Sequence, residues 1–379
     1  MNILHITHGL YAGNGLETFL ANLINKLDCF NHTIVIFKNR NNDNIGLSDK
    51  VKIIEIESLW DIKNIVEDNK IDVVNIHWTG PESFNNEITL LSLNGRFFSN
   101  KNLGGKFTID NDPYGYLYIS KFWNPYIEND AYEYLLDKEG NKQKNQQRPF
   151  IIITCHSDFK LPIHLMKPDI DVIVSVSEKT MKNQSHIYTE HKVIYNGVDT
   201  KRFKAKQEKI EISNNKKLSI AWIGRMDKYD SSVYDAIKEN KFINLNCNFY
   251  FIGSGKLDDN PLDNFKFLGI VKNPESYLQE WDIFLYPTRI DSFGLALVEA
   301  MSCELPVIGS DEVKEIIGDS GLIYKNTNDL IKKLSKLISF ENMRKSFGKD
   351  ARKRVLEKFS LEKMLKEYKN LYEKAKFNK

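Results

Sequence analysis

Short runs of apolar, mostly β-branched residues recur along the chain, and helical stretches such as 16–27 and 60–69 lie between them. Residues 1–7, 32–37, 51–56, 71–77, 150–154, 171–176 and 193–195 form one series of strand-like runs. Strand and helix alternating in this way predict an α/β fold with a parallel, doubly wound sheet. The pattern lapses over 201–217, which is polar and rich in Lys and Asn. It then restarts with 218–223, 248–252, 265–268, 282–285, 306–308 and 322–324. The chain therefore divides into two α/β halves, 1–205 and 206–359, followed by a last helical stretch over 360–379.

One connection breaks the rhythm. About seventy residues separate the run ending at His77 from the one starting at Phe150, far more than such a crossover needs. The stretch is aromatic, and Tyr114, Tyr116 and Tyr118 alternate, which would set them on one face of a strand. It is expected to be an insertion over about 81–148, with its own small hairpin followed by a polar loop over 137–148.

Composition narrows the class. With 379 residues, 41% hydrophobic and 27% charged, the chain has the balance of a globular protein of two or three domains. That excludes a disordered chain, a collagen-like fibre and a disulfide-stapled scaffold. A net charge of +2 implies no whole-chain polyanion binder, so nucleic acid is not an expected partner. Cys29, Cys155, Cys247 and Cys303 form no CxxC pair, which argues against a zinc ribbon, a redox motif and a disulfide framework. The N-terminus has no cationic lead, and no apolar run approaches the roughly 18 residues that span a bilayer. A soluble, cytoplasmic protein is the expectation. Charge is uneven, however: residues 331–379 carry 16 Lys/Arg against 6 Asp/Glu. Such a stretch either docks peripherally on the inner face of a membrane or on an anionic acceptor, or is a solvated helix face.

Three places carry candidate chemistry. In 8–17, Gly9, Gly13 and Gly15 follow the first strand and open a helix. Glycine admits backbone N–H groups to a phosphate, and a helix start favours negative charge. A nicotinamide fingerprint would need glycine at Thr18, and the second strand ends at Phe37 and Lys38 without an acidic residue for a ribose, so a dehydrogenase is disfavoured. A plain strand–turn–helix fits the same glycines. In 291–301, Ser292 is placed to cap a helix and leave the N–H groups of Phe293, Gly294 and Leu295 to an anion. Asp291 at the mouth and Glu299 about two turns in would stand roughly 10 Å apart at ~1.5 Å per residue. A sugar, a diphosphate and a ribose span about that distance, and both carboxylates can accept from hydroxyls. The alternative is a capped helix with a buried glutamate. In 222–228 a strand ends, Gly224 turns, and Arg225 is offered at the carboxyl edge of the sheet. An arginine there forks onto diphosphate oxygens or makes a surface salt bridge.

In their order along the chain these motifs resemble the retaining glycosyltransferases of family 4, the glycosyl transferases group 1. The run 193–203, containing Asn196, Gly197, Val198 and Asp199, is similar to the family's interdomain signature. The run 291–311 resembles its donor motif, with two acidic residues separated by seven. Gly224 with Arg225, the glycines Gly253 and Gly255, and 267–271 match further landmarks, and 13–23 is similar to the N-terminal glycine-rich motif. The likeness covers nearly the whole chain outside 81–148. It implies a GT-B fold: two Rossmann-like domains facing across a cleft, the acceptor side first and the nucleotide-sugar side second. The last helix, 361–376, would pack back on the first domain. By position the resemblance implies ribose at Glu299, the transferred sugar at Asp291, and the diphosphate at Phe293, Gly294, Leu295 and Arg225. It also implies the base at Val271, and Gly13 and Gly15 approaching the donor phosphates. Ser292 and Gly253 fall within donor-binding motifs. His156 matches an active-site histidine near the sugar; the other reading is a core histidine.

Departures from the family pattern matter. Asp291 stands where glutamate is usual and is one methylene shorter. Glu304 stands where glycine is usual. Asp230 occupies the place of a lysine beside the diphosphate, with Lys228 close but displaced. Two unit charges about 4 Å apart interact by roughly 4 kcal/mol at an effective dielectric near 20. Either the loop is re-registered, with Lys228 at the phosphates and Asp230 turned to solvent, or the site is crippled. The expected activity is a retaining, metal-independent transfer of a hexose from a nucleotide-diphosphate sugar, UDP-sugar by default. The acceptor is a glycan, lipid-linked or protein molecule in bacterial surface polysaccharide or glycoconjugate assembly. His156, Arg225, Lys228 and Asp291 form the expected catalytic set. No cofactor or metal is expected, because Arg225, Lys228 and helix amides would neutralise the leaving group. Tyr114, Tyr116, Tyr118 and Trp123 are the expected acceptor side, since Tyr and Trp faces stack on sugars. A catalytically degenerate glycosyltransferase-like binding subunit is the alternative, and a sugar-nucleotide epimerase on the same architecture is a third.

Overall fold

The computed structural model describes residues 1–11, 15–37, 42–57, 61–79, 134–136, 142–144, 149–161, 170–205, 217–225, 228, 230–239, 242, 245, 247–255 and 265–376. Packing divides the chain into two units, Met1–Ile194 with Glu367–Lys379, and Tyr195–Lys366.

Unit 1 is built on seven strands: β1 (Asn2–Ile6), β2 (Asn31–Phe37), β3 (Lys52–Ile56), β4 (Val73–Trp78), β7 (Phe150–Cys155), β8 (Val172–Ser175) and β9 (Glu190–Val193). They pair in the order β3-β2-β1-β4-β7-β8-β9. Every pairing is parallel. β4 and β7 are buried along their whole length, so they are central strands covered on both faces. Leu4, Ile6, Val74, Ile76, Ile151 and Ile153 share one face and pack with Ile62 of α2 (Asp61–Asp68). Phe19 of α1 (Gly15–Lys26) and Tyr368 of the last helix, Leu361–Lys374, meet with ring centroids 5.6 Å apart. Tyr368 and Tyr372 are four residues apart, hence on one side of that helix, and both are fully buried. Asn75 Nδ2 donates to the Tyr372 hydroxyl at 3.2 Å, and Thr154 Oγ1 donates to Asn75 Oδ1 at 2.8 Å. A polar thread thus runs from the last helix into β4 and β7.

Unit 2 repeats the plan with β10 (Leu218–Ile223), β11 (Cys247–Ile252), β12 (Phe265–Phe267), β13 (Ile283–Tyr286), β14 (Val307–Gly309) and β15 (Leu322–Ile323). The parallel order is β12-β11-β10-β13-β14-β15. Its core joins Ile220, Trp222, Phe249, Phe251, Ile283 and Leu285 to Val233 and Ile237 of α4 (Ser231–Lys238). Leu330, Leu334 and Leu337 of α8 (Thr327–Ser339) complete it at helical spacing. In both sheets the first strand lies between the second and the fourth to be laid down in the central block, β2 and β4 around β1, β11 and β13 around β10. Chain direction across the sheet reverses there, and ligands of open α/β sheets bind outside the carboxyl ends at that point.

Several expectations need correction. The division falls at Ile194, because 195–203 is bonded into unit 2. Tyr195 donates to Glu315 Oε1 at 3.0 Å, Val198 N–H to the Phe359 carbonyl at 2.9 Å, and Ser302 Oγ to the Phe203 carbonyl at 2.5 Å. The polar stretch that suggested 205 lies just past these bonds. The last strand of unit 1 is Glu190–Val193, earlier than 193–195: Glu190, His191 and Lys192 hide an edge strand from an apolar search. The polar loop expected at 137–148 contains half of a hairpin, β5 (Tyr134–Leu136) with antiparallel β6 (Lys142–Lys144). Tyr114, Tyr116, Tyr118 and Trp123 lie outside the described residues. The basic stretch is only partly a solvated face. On α9 (Glu341–Lys358), Arg344 donates to the Leu337 carbonyl at 2.7 Å and Arg354 to the Ile316 carbonyl at 2.6 Å. Arg352 on the same helix donates to the Phe203 carbonyl at 3.2 Å. Arg344 and Arg354 thus serve helix-end carbonyls, and Arg352 adds a second donor to a carbonyl that Ser302 already serves, all inside unit 2. Among the described residues no helix is long and apolar enough to cross a membrane.

Glu304 follows α6 (Leu295–Ser302) at φ +62°. Its N–H donates to the Met301 carbonyl at 3.1 Å, and that of Leu305 to the Ala300 carbonyl at 3.2 Å. That is a Schellman helix end, whose left-handed residue is best filled by glycine. Glu304→Gly should therefore stabilise unit 2 by about 0.5 kcal/mol, the left-handed cost less glycine's added unfolded-state freedom and the lost, partly exposed ion pair to Arg352. A lower urea midpoint than the parent would contradict this.

Candidate functional site

At the carboxyl edge of the unit 2 sheet, the turn after β10 and the loop after β13 are stitched together. Lys228 N–H donates to the Arg225 carbonyl at 3.2 Å, closing the turn. The Lys228 carbonyl accepts the N–H of Arg289 at 3.0 Å and the hydroxyl of Thr288 at 3.3 Å. The Arg225 and Lys228 side chains are exposed at this edge. Gly224, Gly253 and Gly269 close the neighbouring strand ends: Gly224 N–H donates to the Ile252 carbonyl at 3.0 Å and Gly253 N–H to the Gly269 carbonyl at 2.9 Å. A Cβ on Gly253 would lie 1.7 Å from the Gly224 carbonyl oxygen, so close backbone approach by itself requires glycine there. Val271, partly buried, follows β12 at the same edge beside exposed Ile270.

The helix mouth differs from the expected one. α6 starts at Leu295, and its N-cap residue is Gly294 in the left-handed region at φ +86°, with no side-chain cap. Ser292 is therefore not the cap. Asp291 Oδ1 takes the Phe293 N–H at 3.1 Å, and the buried Tyr286 hydroxyl donates to Asp291 Oδ2 at 2.6 Å. Of the three expected amides, Phe293 is thus engaged by Asp291, while Gly294 and Leu295 open the uncapped helix. Asp291 precedes the helix, so the 10 Å helical estimate does not apply. Glu299 stands one turn inside, about 6 Å along the axis from Leu295.

Glu299 is the electrostatic centre. Burial pushes its carboxyl up to about 7, against the pull of the Arg202 guanidinium and with the push of Glu275. Arg202 Nη2 lies 2.8 Å from Glu275 Oε2. Sequence reasoning missed Arg202, Glu275, Tyr286 and Arg289. Arg202 lay inside the quoted 193–203 run; the others carry no local signal.

Asp230 is partly buried and not turned fully to solvent. Its carboxylate caps α4, accepting from Ser232 N–H at 3.1 Å and Ser232 Oγ at 2.8 Å, and it pairs with Arg289 Nη2 at 3.0 Å. Arg289 thereby offsets the charge that placed the site in doubt.

In unit 1, Gly15 is exposed at the first position of α1, and Gly13 lies outside the described residues. The buried Glu17 ties α1 to Tyr11, its Oε1 accepting Tyr11 N–H at 3.1 Å. His156 follows β7, its N–H on the Trp78 carbonyl at 2.8 Å. The next residues are tied to α3 (Glu178–Asn183): Thr180 Oγ1 donates to Asp158 Oδ1 at 2.8 Å and Asn183 Nδ2 to the Asp158 carbonyl at 2.9 Å. His156 Nε2 meets His77 Nδ1 at 3.1 Å, and the Phe19 ring edge lies 4.8 Å away between centroids. Burial pushes the imidazole down to about 3, so it is neutral at physiological pH.

Residues 217–339 match the family described as glycosyl transferases group 1. The capsular polysaccharide biosynthesis glycosyltransferase CapM of Staphylococcus aureus is 27% identical over 233 residues, 53% of this chain and 60% of that protein. The match thus spans less than two thirds of that relative's length. A glycosyltransferase from Rickettsia africae ESF-5 superposes with a TM-score of 0.71 at 15% identity, over 100% of this chain and 99% of that one. HepE of Anabaena in complex with UDP-glucose does so with a TM-score of 0.66 at 13% identity, over 99% of this chain and 100% of that one. Residues 217–339 form a glycosyl transferases group 1 domain, and the fold, two Rossmann-like α/β domains, is GT-B.

The raised Glu299 carboxyl links stability to pH. Its ordinary value is ~4.3, so between there and about 7 the folded protein binds the extra proton. Its stabilisation is complete below that window and lost as pH rises through 7. Glu299→Gln does not titrate. Its stability relative to the parent, read as the difference in urea midpoints, should rise between pH 5 and pH 8; a flat difference would contradict the assignment.

Proposed function

We propose that this chain is a retaining glycosyltransferase that takes a sugar from a nucleotide-diphosphate sugar, a UDP-sugar by default. The carrying observation is the edge of the unit 2 sheet, where an uncapped helix N-terminus has Asp291 before it and Glu299 one turn inside. The reading is supported by the family match, which contains every donor-side residue from Arg225 to Glu299. The UDP-glucose bound to HepE and the capsule role in CapM's name point the same way.

In this reading the Gly294 and Leu295 amides hold the diphosphate together with Arg225 and Lys228. Glu299, ionised, accepts the ribose hydroxyls, and Asp291, fixed by Tyr286, accepts from the transferred sugar. The acceptor hydroxyl attacks the anomeric carbon on the face from which the nucleoside diphosphate departs; the sugar–diphosphate bond breaks, the leaving diphosphate oxygen takes the hydroxyl proton, and an α-glycoside forms. No protein nucleophile is demanded. Rate comes from positioning and from cations and amides that meet the charge growing on the leaving diphosphate. His156 serves the substrate as a neutral imidazole, and no metal is required. The acceptor is a glycan, lipid-linked or protein molecule of surface polysaccharide or glycoconjugate assembly. The protein works in the cytoplasm, with the basic C-terminal lysines at the membrane surface.

The test is nucleotide release from a panel of donors, with and without candidate acceptors. Release that depends on an acceptor and survives EDTA is expected; failure to bind any nucleoside diphosphate would sink the reading. Glu299→Ala should weaken donor binding at least tenfold, about 1.4 kcal/mol, without unfolding the protein. Lys228→Ala should depress transfer strongly. Asp230→Ala should cost about 1 kcal/mol of stability through the lost cap and leave transfer nearly unchanged. If Lys228→Ala is silent while Asp230→Lys raises activity, the phosphate assignment fails.

A further inference from the structure

Four imidazoles form a continuous row across the unit 1 sheet. His32 Nε2 lies 3.0 Å from the Leu27 carbonyl oxygen, and His32 Nδ1 3.0 Å from His5 Nε2. His5 Nδ1 lies 3.1 Å from His77 Nε2, and His77 Nδ1 3.1 Å from His156 Nε2. Strand register explains the row. His32 is paired with Ile3, His5 with Asn75 and His77 with Thr154. Each histidine therefore stands two residues beyond the partner of the one before it: His5 after Ile3, His77 after Asn75, His156 after Thr154. A step of two keeps one face of a strand. The row climbs one face of the sheet, from the amino end of β2 to the carboxyl edge after β7.

Its direction is set by an atom that has no choice. A carbonyl oxygen only accepts, so His32 carries its proton on Nε2 and presents Nδ1 as an acceptor. His5 must then donate from Nε2 and accept at Nδ1, and His77 must do the same. His156 in turn donates from Nε2. Burial supports the neutral form throughout, since it lowers the proton affinity of all four rings. A second proton on any ring would set N–H against N–H or reverse the run beyond it. Because the row ends on a carbonyl, it has nowhere to deliver a proton. It acts as a lock on tautomer and is not a conduit. The Phe19 ring lies edge-on to both His77 and His156, with centroids 5.9 and 4.8 Å away, and holds that end of the row in place.

We infer that His32, His5 and His77 are positioning residues that hold His156 as the neutral Nε2–H tautomer, with Nδ1 a hydrogen-bond acceptor at the carboxyl edge of the unit 1 sheet. Resting on the proposed transferase reading, this makes His156 selective for a hydroxyl donor of the substrate. It also makes His32, three rings away, able to influence transfer without touching any ligand.

Nitrogen-15 NMR of the full chain labelled at histidine tests the lock directly. At pH 7 all four rings should be neutral and protonated on Nε2, with scalar couplings across the three N–H···N bonds. His32→Gln, whose amide can donate to Leu27 and accept from His5, should leave the His156 nitrogens unmoved. His32→Leu should release them toward mixed tautomers and lower transfer by at least about fivefold, with nucleotide affinity within about twofold of the parent. A parent His156 protonated on Nδ1, or unmoved His156 nitrogens in His32→Leu, would overturn the inference. Should His32→Leu fail to fold, the parent couplings and the Gln variant still decide it. A chain without transferase activity would remove the functional reading and leave the tautomer assignment standing, so the two failures are distinguishable.

Discussion

Parallel pairing of every strand in both large sheets sends the carboxyl ends of the strands to one edge of each sheet. Antiparallel pairing would scatter the same residues over two edges. The constraint fixes where Arg225, Asp291 and the start of α6 must emerge, because they follow β10 and β13, neighbours in the sheet. It likewise fixes His156, which follows β7 beside β4. Burial of both faces leaves that edge as the place where loops reach solvent. The glycines follow from the same geometry: Gly253 has no room for a Cβ against the Gly224 carbonyl, and Gly294 opens a helix in a conformation that leaves its mouth without a side-chain cap.

At that edge in unit 2 the electrostatics are arranged around one carboxyl. Glu299 is partly buried and raised by desolvation, a shift that Glu275 adds to and the Arg202 guanidinium opposes. Such a group is poorly solvated when ionised and gains from hydroxyl donors. An amide in its place is spared that cost. Asp230 shows the opposite arrangement: its charge is consumed by a helix cap and by Arg289. The departure from the family pattern at Asp230 is thereby absorbed locally.

The alternation of strands, the two halves and the motif positions were legible in the sequence because each is carried by a local pattern of period two or of helical spacing. What was not legible depends on register and topology. Glu190–Val193 is a strand because it pairs with β8, although its own residues are polar. Ser292 looked like a cap by residue type, but Asp291 bonded the Phe293 amide first, and the helix began two residues later than that cap would require. His5, His32 and His77 are scattered through the first eighty residues, and only pairing across four strands brings them into line with His156. Arg202 and Glu275 meet across seventy-three residues.

The proposed donor site stands or falls with Glu299 and the mouth of α6 binding the ribose and diphosphate of a nucleotide. Calorimetric titration of the parent with UDP at pH 7, repeated in two buffers of different ionisation enthalpy, tests it most directly. Saturable binding with net proton release is expected, as the Glu299 carboxyl ionises to accept the ribose hydroxyls, with loss of that release in Glu299→Gln. Absence of UDP binding, or the same proton release in both proteins, would contradict it.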